Sequence, residues 1–281
     1  MNVLELINIG EKELRKKNID SSRLDSELLL SKILNKKREK ILINLDQEIC
    51  QKHLNRHKKL IKRRSQNEPI AYIMKEKEFW SKNFFVSQDT LIPRPETELM
   101  VEKLIKIFKE KKISILDIGT GSGCILISLI SELIGSQGVG IDISHKALVI
   151  AKKNSEKHKT SNNIKFFNRS LDSKFNQKFD LIVSNPPYVK SNEIKNLSED
   201  VKRYEPRIAL DGGNDGLDLI EKVIYKTKYI LKVKGMLSLE IGNEQFKKVS
   251  KLLIKKNFRI EKIIKDYKDN VRCIISTFIG K

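Results

Sequence analysis

The sequence predicts a doubly wound α/β fold preceded by a small helical block, and three observations carry that prediction. From residue 114 onward, short apolar runs alternate with longer helix-like segments, the pattern of a parallel sheet covered on both faces. The first of those runs enters a Gly-x-Gly-x-Gly turn and is followed by an apolar helix start. Residues 1 to 75 instead carry apolar positions at helical spacing, in Leu4, Leu6 and Ile7, in Leu28, Leu29, Ile33 and Leu34, and in Leu54, Leu60 and Ile61.

In the helical block, Asp20, Ser21 and Ser22 read as capping residues ahead of the second helix. The stretch from Lys52 to Arg64 is strongly basic and holds His53 and His57 four residues apart. With no third ligand and no intervening acid, the two histidines read as part of a solvated helix face rather than a metal pair. Residues 76 to 95 read as a short strand pair and linker that ends at Pro93 and Pro95. A helix follows over about 96 to 112, its inward side formed by Leu99, Val101, Leu104, Ile105 and Phe108. Strands are then expected over Ser114–Ile118, Val139–Ile143, Ile164–Phe167, Leu181–Ser184 and Gly235–Ile241, with two late ones near Arg259–Ile264 and Arg272–Phe278. The division is therefore a helical domain over 1–75, a linker over 76–95 and an α/β domain over 96–281.

The glycine turn reads Asp117-Ile118-Gly119-Thr120-Gly121-Ser122-Gly123-Cys124. Glycines there allow positive φ and close approach of backbone to a ligand, and a helix N-terminus with free turn amides favours a polar or anionic group. The strand Gly138–Asp142 ends in an acid 19 residues beyond Gly123. A carboxylate at that place accepts the hydroxyls of a ribose in nucleotide-binding βαβ units; a strand-end cap on the next helix, which Ser144 follows, is the structural alternative. The spacing is not the dinucleotide pattern, because Cys stands at 124 and Gly at 123, and no Gly-Lys-Ser/Thr follows to make a phosphate loop. Asp117, ahead of the glycines, suits a cofactor that carries positive charge.

The second motif, Asn185-Pro186-Pro187-Tyr188, ends the apolar run Phe179–Ser184. The Asn185 side-chain oxygen and the Pro186 carbonyl can each accept one N–H of a planar amino or amide group, and the Tyr188 ring can stack on its face. Pro187 biases Pro186 toward the extended region, so that carbonyl has a fixed direction. The glycine turn with its acid resembles motif I of the class I S-adenosylmethionine-dependent methyltransferases, and the methyl donor this implies, beside an amide-gripping corner, points to transfer onto a planar nitrogen. No His or Cys dyad stands near either motif, and no metal is expected.

Composition sets outer bounds. The chain has a formal charge of +20, which calls for an anionic partner, but 44 of its 56 basic residues are lysines, the bias of an AT-rich genome spread over solvated faces. The first residues hold an early acid and no basic run, and no apolar stretch reaches membrane-spanning length. Three cysteines, Cys50, Cys124 and Cys273, without paired spacing fit buried thiols in a reducing cytoplasm.

On these motifs the chain resembles the HemK/PrmC family, the protein-(glutamine-N5) methyltransferases of peptide chain release factors. The likeness also rests on Glu68–Ile73, Glu78-Phe79-Trp80, Leu91–Glu98, Tyr204-Glu205-Pro206-Arg207, Asp211-Gly212-Gly213 and Asp215–Asp218, which together span about residues 68 to 218. It implies a class I methyltransferase-like seven-strand sheet whose last strand is antiparallel, and S-adenosylmethionine as methyl donor. It places the cofactor on Gly119, Thr120, Gly121, Ser122, Gly123, Asp142, Ser170 and Asn185, with Asn185 catalytic and Asn185, Pro186, Pro187 and Tyr188 holding the substrate. The expected acceptor is the glutamine of the Gly-Gly-Gln motif of class I release factors, with the helical domain recognising that protein, no membrane involved and nucleic-acid contact not required. RNA and DNA exocyclic-amino methyltransferases share the Asn-Pro-Pro-Tyr corner and stand as the alternative. One departure concerns the adenine edge, where the family commonly has Gly/Ser-Asp and this chain reads Asn168-Arg169-Ser170-Leu171, with Asp172 the nearest acid.

Overall fold

Residues 1–280 are described by the computed structural model, and they segregate into two units. Met1–Glu76 with Ser198–Tyr204 form the first, and Lys77–Leu197 with the chain from Glu205 onward form the second.

The first unit contains α1 (Val3–Arg15), α2 (Ser22–Leu34), α3 (Arg38–Leu42), α4 (Gln51–Ser65) and α5 (Ile70–Met74). A capping box starts α1: the Asn2 side chain accepts from the Glu5 amide, and the Glu5 carboxylate accepts from the Asn2 amide, both at 2.9 Å. Ser21 precedes α2 but makes no cap bond; its hydroxyl donates instead to Asp25, whose Oδ2 also accepts from Arg64 Nε at 2.7 Å. Asp25 is buried, so this pair ties the first turn of α2 to the end of α4. Val3, Leu6, Ile7, Leu30 and Ile41 form one apolar cluster, and Leu14, Ile19, Leu29, Ile61 and Ile73 a second.

The histidine reading is corrected here. His57 is only 1% exposed, packed where Gly10 lets α1 approach α2 and α4, and its Nε2 has no hydrogen-bond partner. The spacing of four residues looked solvated because its neighbours are lysines, yet position 57 falls on the same face as Ile61. Cys50 likewise proves exposed, whereas Cys124 and Cys273 are buried.

The second unit begins with the hairpin β1 (Glu76–Phe79) and β2 (Lys82–Phe85). Phe79 and Phe84 lie in the main core, so the segment expected as a linker packs as part of this unit. Then come α6 (Pro95–Phe108), β3 (Ser114–Ile118), α7 (Cys124–Glu132), β4 (Gln137–Asp142), α8 (His145–Lys157), β5 (Ile164–Asn168) and β6 (Phe179–Ser184). The short α9 (Glu199–Tyr204) groups with the helical unit, where the Tyr204 hydroxyl donates to the Gln66 carbonyl at 2.9 Å. The chain closes with α10 (Asp218–Ile230), β7 (Leu231–Glu240), α11 (Phe246–Lys255), β8 (Phe258–Lys265) and β9 (Val271–Phe278).

The seven strands are ordered β5-β4-β3-β6-β7-β9-β8, parallel except for β9, which runs antiparallel to both its neighbours. Apolar clusters cover both faces, which is why β3 and β6 read as near-continuous apolar runs rather than alternating ones. Strand order reverses between β3 and β6, and ligands of such sheets bind beyond the carboxyl ends at that point. No helix among the described residues is long and apolar enough to cross a membrane.

His57 generates a test. Burial pushes its ionisation down to about 4 from 6.5. A group depressed in this way contributes stability that is whole above about 6.5 and is lost as pH falls through that value toward about 4. Between pH 7 and pH 5 the wild-type helical unit should therefore lose about 2 kcal/mol more than a His57→Met variant, by linkage over that shift. Hydrogen exchange of α1, α2 and α4 at the two pH values reads this directly; equal pH sensitivity in the two proteins would contradict it.

Candidate active site

The site is set by one register. Ile118 of β3 pairs with Ser184 of β6, and the Ser184 hydroxyl donates to the Ile118 carbonyl at 2.8 Å. The residues that follow, Gly119 and Asn185, thus leave the sheet side by side. Both line a cavity of about 230 Å³ that also takes in Thr120, Gly121, Ser122, Asp142, Ser170, Pro186 and Pro187. Two sequence-assigned residues lie outside that lining. Gly123, with φ +80°, caps α7, and a Cβ there would press on Ile127 and Ala151, so its smallness serves helix packing. Tyr188 lines a separate depression with Arg272 and Gln245, and burial raises its phenol pKa.

Gly119 and Gly121 have φ of +71° and +55°, a region that side chains disfavour. A Cβ on Gly119 would meet no atom within 4 Å, and one on Gly121 would meet only the Gly119 oxygen at 3.9 Å, so both face open cavity. The turn amides are largely engaged. Gly119 and Thr120 both donate to the Ile141 carbonyl, at 2.9 and 3.0 Å, and Gly121 donates to Asp142 Oδ2 at 2.9 Å. The loop is therefore laced to β4, and over these residues it offers shape rather than free donors.

Asp142 makes the strand-end cap and also faces the cavity. Its Oδ1 accepts from the Ser144 amide at 2.8 Å, fixing the start of α8, while its carboxylate lines the cavity. Each oxygen retains a lone pair for a ligand hydroxyl. Asp117 is fully buried and does not reach the cavity; its Oδ2 accepts from Thr120 at 2.6 Å and its Oδ1 has no partner. Burial first, then the nearby Asp142 charge, pushes its pKa up to about 7, against the Thr120 bond.

At the edge where adenine was expected, Arg169, Ser170 and Leu171 line the cavity, and the Arg169 guanidinium lies over the Phe167 ring at 4.9 Å. Asp172 does not take the missing acid's place: it is exposed, turned to Lys222 and Lys226 at 2.5 and 3.3 Å. Cys124 lines the cavity too, but burial pushes its thiol up to about 12, which removes it as a nucleophile. Among the described residues no group of three or more His, Cys, Asp or Glu side chains could hold a metal ion. The open glycine cradle and the Asp142 carboxylate fit a nucleoside with a cationic centre.

Several polar braces hold the Asn185 corner, and sequence spacing did not reveal how their residues pair. Asn185 Nδ2 donates to Thr97 Oγ1 at 3.4 Å, and Thr97 Oγ1 donates to Glu240 Oε2 at 2.6 Å. Glu205 Oε1 accepts from Arg94 at 2.6 Å and its Oε2 from the Ile92 amide at 3.2 Å, so two motifs 111 residues apart form one clamp. Gln245 holds the exit of the corner, donating to the Tyr188 and Gly216 carbonyls and accepting from Gly242. Asn154 on α8 is fully buried; it exchanges two bonds with the Phe85 backbone and donates a third to the Ser122 carbonyl, fastening β2 to the glycine loop.

Comparison with known proteins agrees with this geometry. The PrmC N-terminal domain family matches residues 5–74, and the Methyltransferase small domain family matches 93–202. A release factor glutamine methyltransferase of Buchnera aphidicola subsp. Acyrthosiphon pisum is 42% identical over 92% of this chain and 92% of its own. One from Fusobacterium nucleatum subsp. nucleatum is 38% identical, covering 97% of this chain and 78% of its own. A bifunctional methyltransferase of Rickettsia typhi is 34% identical over 97% of the chain, which spans only 56% of that longer relative. Among solved structures, a ribosomal protein L11 methylase from Lactobacillus delbrueckii subsp. bulgaricus superposes with a TM-score of 0.51 at 21% identity, covering 67% of this chain and 81% of its own. A methyltransferase from Pyrococcus furiosus does so at 0.54 and 16% identity, covering 81% and 99%; likenesses this distant speak to the fold alone. With the seven-strand sheet, the glycine cradle and the Asn-Pro-Pro-Tyr corner in place, identities of 38 and 42% across nearly the whole chain establish that it belongs to the release factor glutamine methyltransferases, enzymes that use S-adenosylmethionine.

Proposed function

We propose that this chain transfers a methyl group to the side-chain amide nitrogen of the glutamine in the Gly-Gly-Gln motif of class I peptide chain release factors. The observation that carries the reading is that Asn185 and Pro186 line the same cavity as Gly119, Gly121 and Asp142. S-adenosylmethionine bound against these glycines and Asp142 supplies an electrophilic methyl group. An amide nitrogen is a poor nucleophile because its lone pair is delocalised into its carbonyl. Asn185 Oδ1 and the Pro186 carbonyl each accept one of its N–H bonds and so aim the lone pair into the cavity. The same two oxygens stabilise positive charge as it grows on that nitrogen. Catalysis is then positioning and preorganised electrostatics, without a strong base. The helical unit, with Lys52, Arg56, Lys58, Lys59 and Lys62 exposed along α4, is the part we assign to recognition of the protein substrate.

Cofactor binding should fail in Gly121→Val, which places a branched side chain in the open cradle and demands a positive φ from valine. Asp142→Ala should weaken it by about 1.5–3 kcal/mol, the range for bonds to a charged group. Titration calorimetry measures both, and normal affinity in the two variants would remove this assignment.

Asn185→Ala should cut turnover by about 100-fold or more at saturating substrates, the scale set by loss of one preorganised hydrogen-bonding group. Cofactor affinity should change far less, because the lost oxygen faces the acceptor. A loss under about threefold, far below that scale, would reduce Asn185 to a shaping role.

The acceptor is decided by giving the enzyme labelled cofactor with release factor, ribosomal RNA and duplex DNA in parallel. Label should enter the release factor and vanish when its Gly-Gly-Gln glutamine is replaced. Label on nucleic acid alone would overturn the proposal.

A further inference from the structure

Glu240 is a buried carboxyl that the chemistry above does not use. It ends β7, is 3% exposed and does not line the cavity. The groups that face it are Glu96 and Thr97 of α6, Asn185 and Tyr188 of the corner, Arg272 and Cys273 of β9, and Cys124 of α7. Burying a carboxyl is unfavourable unless polar partners offset the loss of solvent.

Burial pushes the Glu240 carboxyl up to about 7, and in its ionised form it can only accept hydrogen bonds. Thr97 has one hydroxyl proton, and at 2.6 Å that proton goes to Glu240 Oε2. Toward Asn185, Thr97 Oγ1 is then left with lone pairs alone. The Asn185 Nδ2 end fits against them, 3.4 Å away. The 3.4 Å contact is long, so the selection comes from polarity rather than bond strength. The two ends of a primary amide are nearly equal in size. Turned by a half rotation, Asn185 would aim Oδ1 at Thr97 lone pairs and a carboxylate, and would offer N–H groups to a substrate that also offers N–H groups.

We propose that Glu240 and Thr97 are positioning residues that decide which end of the Asn185 amide faces the acceptor. Glu240 orders the Thr97 hydroxyl, the hydroxyl holds Nδ2, and Oδ1 is left to accept the glutamine N–H. The inference rests on the reading of Asn185 given above and deepens it.

The test measures kcat and KM with intact release factor, and cofactor affinity by calorimetry, for Glu240→Gln, Thr97→Val and Thr97→Ser, alone and combined with Asn185→Ala. Thr97→Val is nearly isosteric and serves should Glu240→Gln fold poorly. Glu240→Gln can donate to Thr97 as well as accept, which scrambles the order. Both Glu240→Gln and Thr97→Val should lower kcat by about tenfold or more, a part of the preorganisation that Asn185 supplies, with cofactor affinity within about threefold. Thr97→Ser should recover most of the rate lost in Thr97→Val. In the Asn185→Ala background neither substitution should add more than about twofold, as for residues that act through one another. Wild-type kcat in Glu240→Gln and Thr97→Val beside a crippled Asn185→Ala would overturn this inference and leave the Asn185 assignment standing. Undiminished losses in the Asn185→Ala background, or losses that track cofactor affinity, would overturn it too. Full activity of Asn185→Ala would overturn the assignment itself, and the inference with it.

Discussion

The pairing of β3 with β6 is the constraint on which the site depends. The two strands are far apart in sequence and parallel, and a parallel sheet fixes its register through the side chains buried on both faces. With Ile118 opposite Ser184, the glycine turn and the Asn185 corner emerge at one end of adjacent strands. A slip by one residue would turn every apolar side chain of one strand to the other face, so the core itself guards the spacing between the glycine turn and the Asn185 corner. The opposite ends of the same strands are tied by Asp180, which accepts from the Ser114 amide and hydroxyl at 2.8 and 2.7 Å and from Lys232 of β7. The middle strands are thus braced at both ends by polar contacts and along their length by apolar ones.

Loops at the carboxyl ends lack such a ladder, and their order comes from side chains that act as backbone partners. Asn154, Glu205 and Gln245 each satisfy main-chain groups of the loops around the cavity. All three are buried, and a buried polar side chain that lost such partners would be destabilising by about 1–3 kcal/mol. The family motifs noted in the sequence make physical sense in this light. Arg94 and Glu205 belong to one clamp, and Asp211-Gly212-Gly213 lies against the chain leaving the corner, where Gly212 donates to the Val189 carbonyl and a Cβ on Gly212 would collide with the Pro187 oxygen.

Much of this was legible from local pattern. The strands at Ser114–Ile118 and Ile164–Asn168 fall within a residue of their expected bounds, because an apolar run between turn residues has few other solutions. β7 begins at Leu231, four residues ahead of the expected Gly235, because Lys232 and Lys234 hide its polar, bulged beginning. Asn185, Pro186, Gly121 and Asp142 were readable since their chemistry sits in contiguous motifs. Glu240, Asn154 and Gln245 were not, because each acts across a long stretch of chain and none carries a spacing that marks it; Thr97 stood inside the Leu91–Glu98 motif without a role of its own. His57 shows the converse: a basic helix suggested solvent, while tertiary packing at Gly10 buried one of its faces.

Two buried acids frame the cavity, Asp117 beneath the glycine loop and Glu240 behind Asn185, and burial pushes both up to about 7. Desolvation disfavours their ionised forms, and the nearby Arg272 offsets this only in part at Glu240. A ligand that brings a positive charge into the cavity favours those same ionised forms, so ligand charge and carboxyl charge are linked. The two acids respond through different neighbours. Asp117 grips Thr120 in the cofactor cradle, whereas Glu240 grips Thr97 and, through it, the amide of Asn185. Ionisation of Glu240 is also what makes its bond to Thr97 one-directional, since a protonated carboxyl could donate instead.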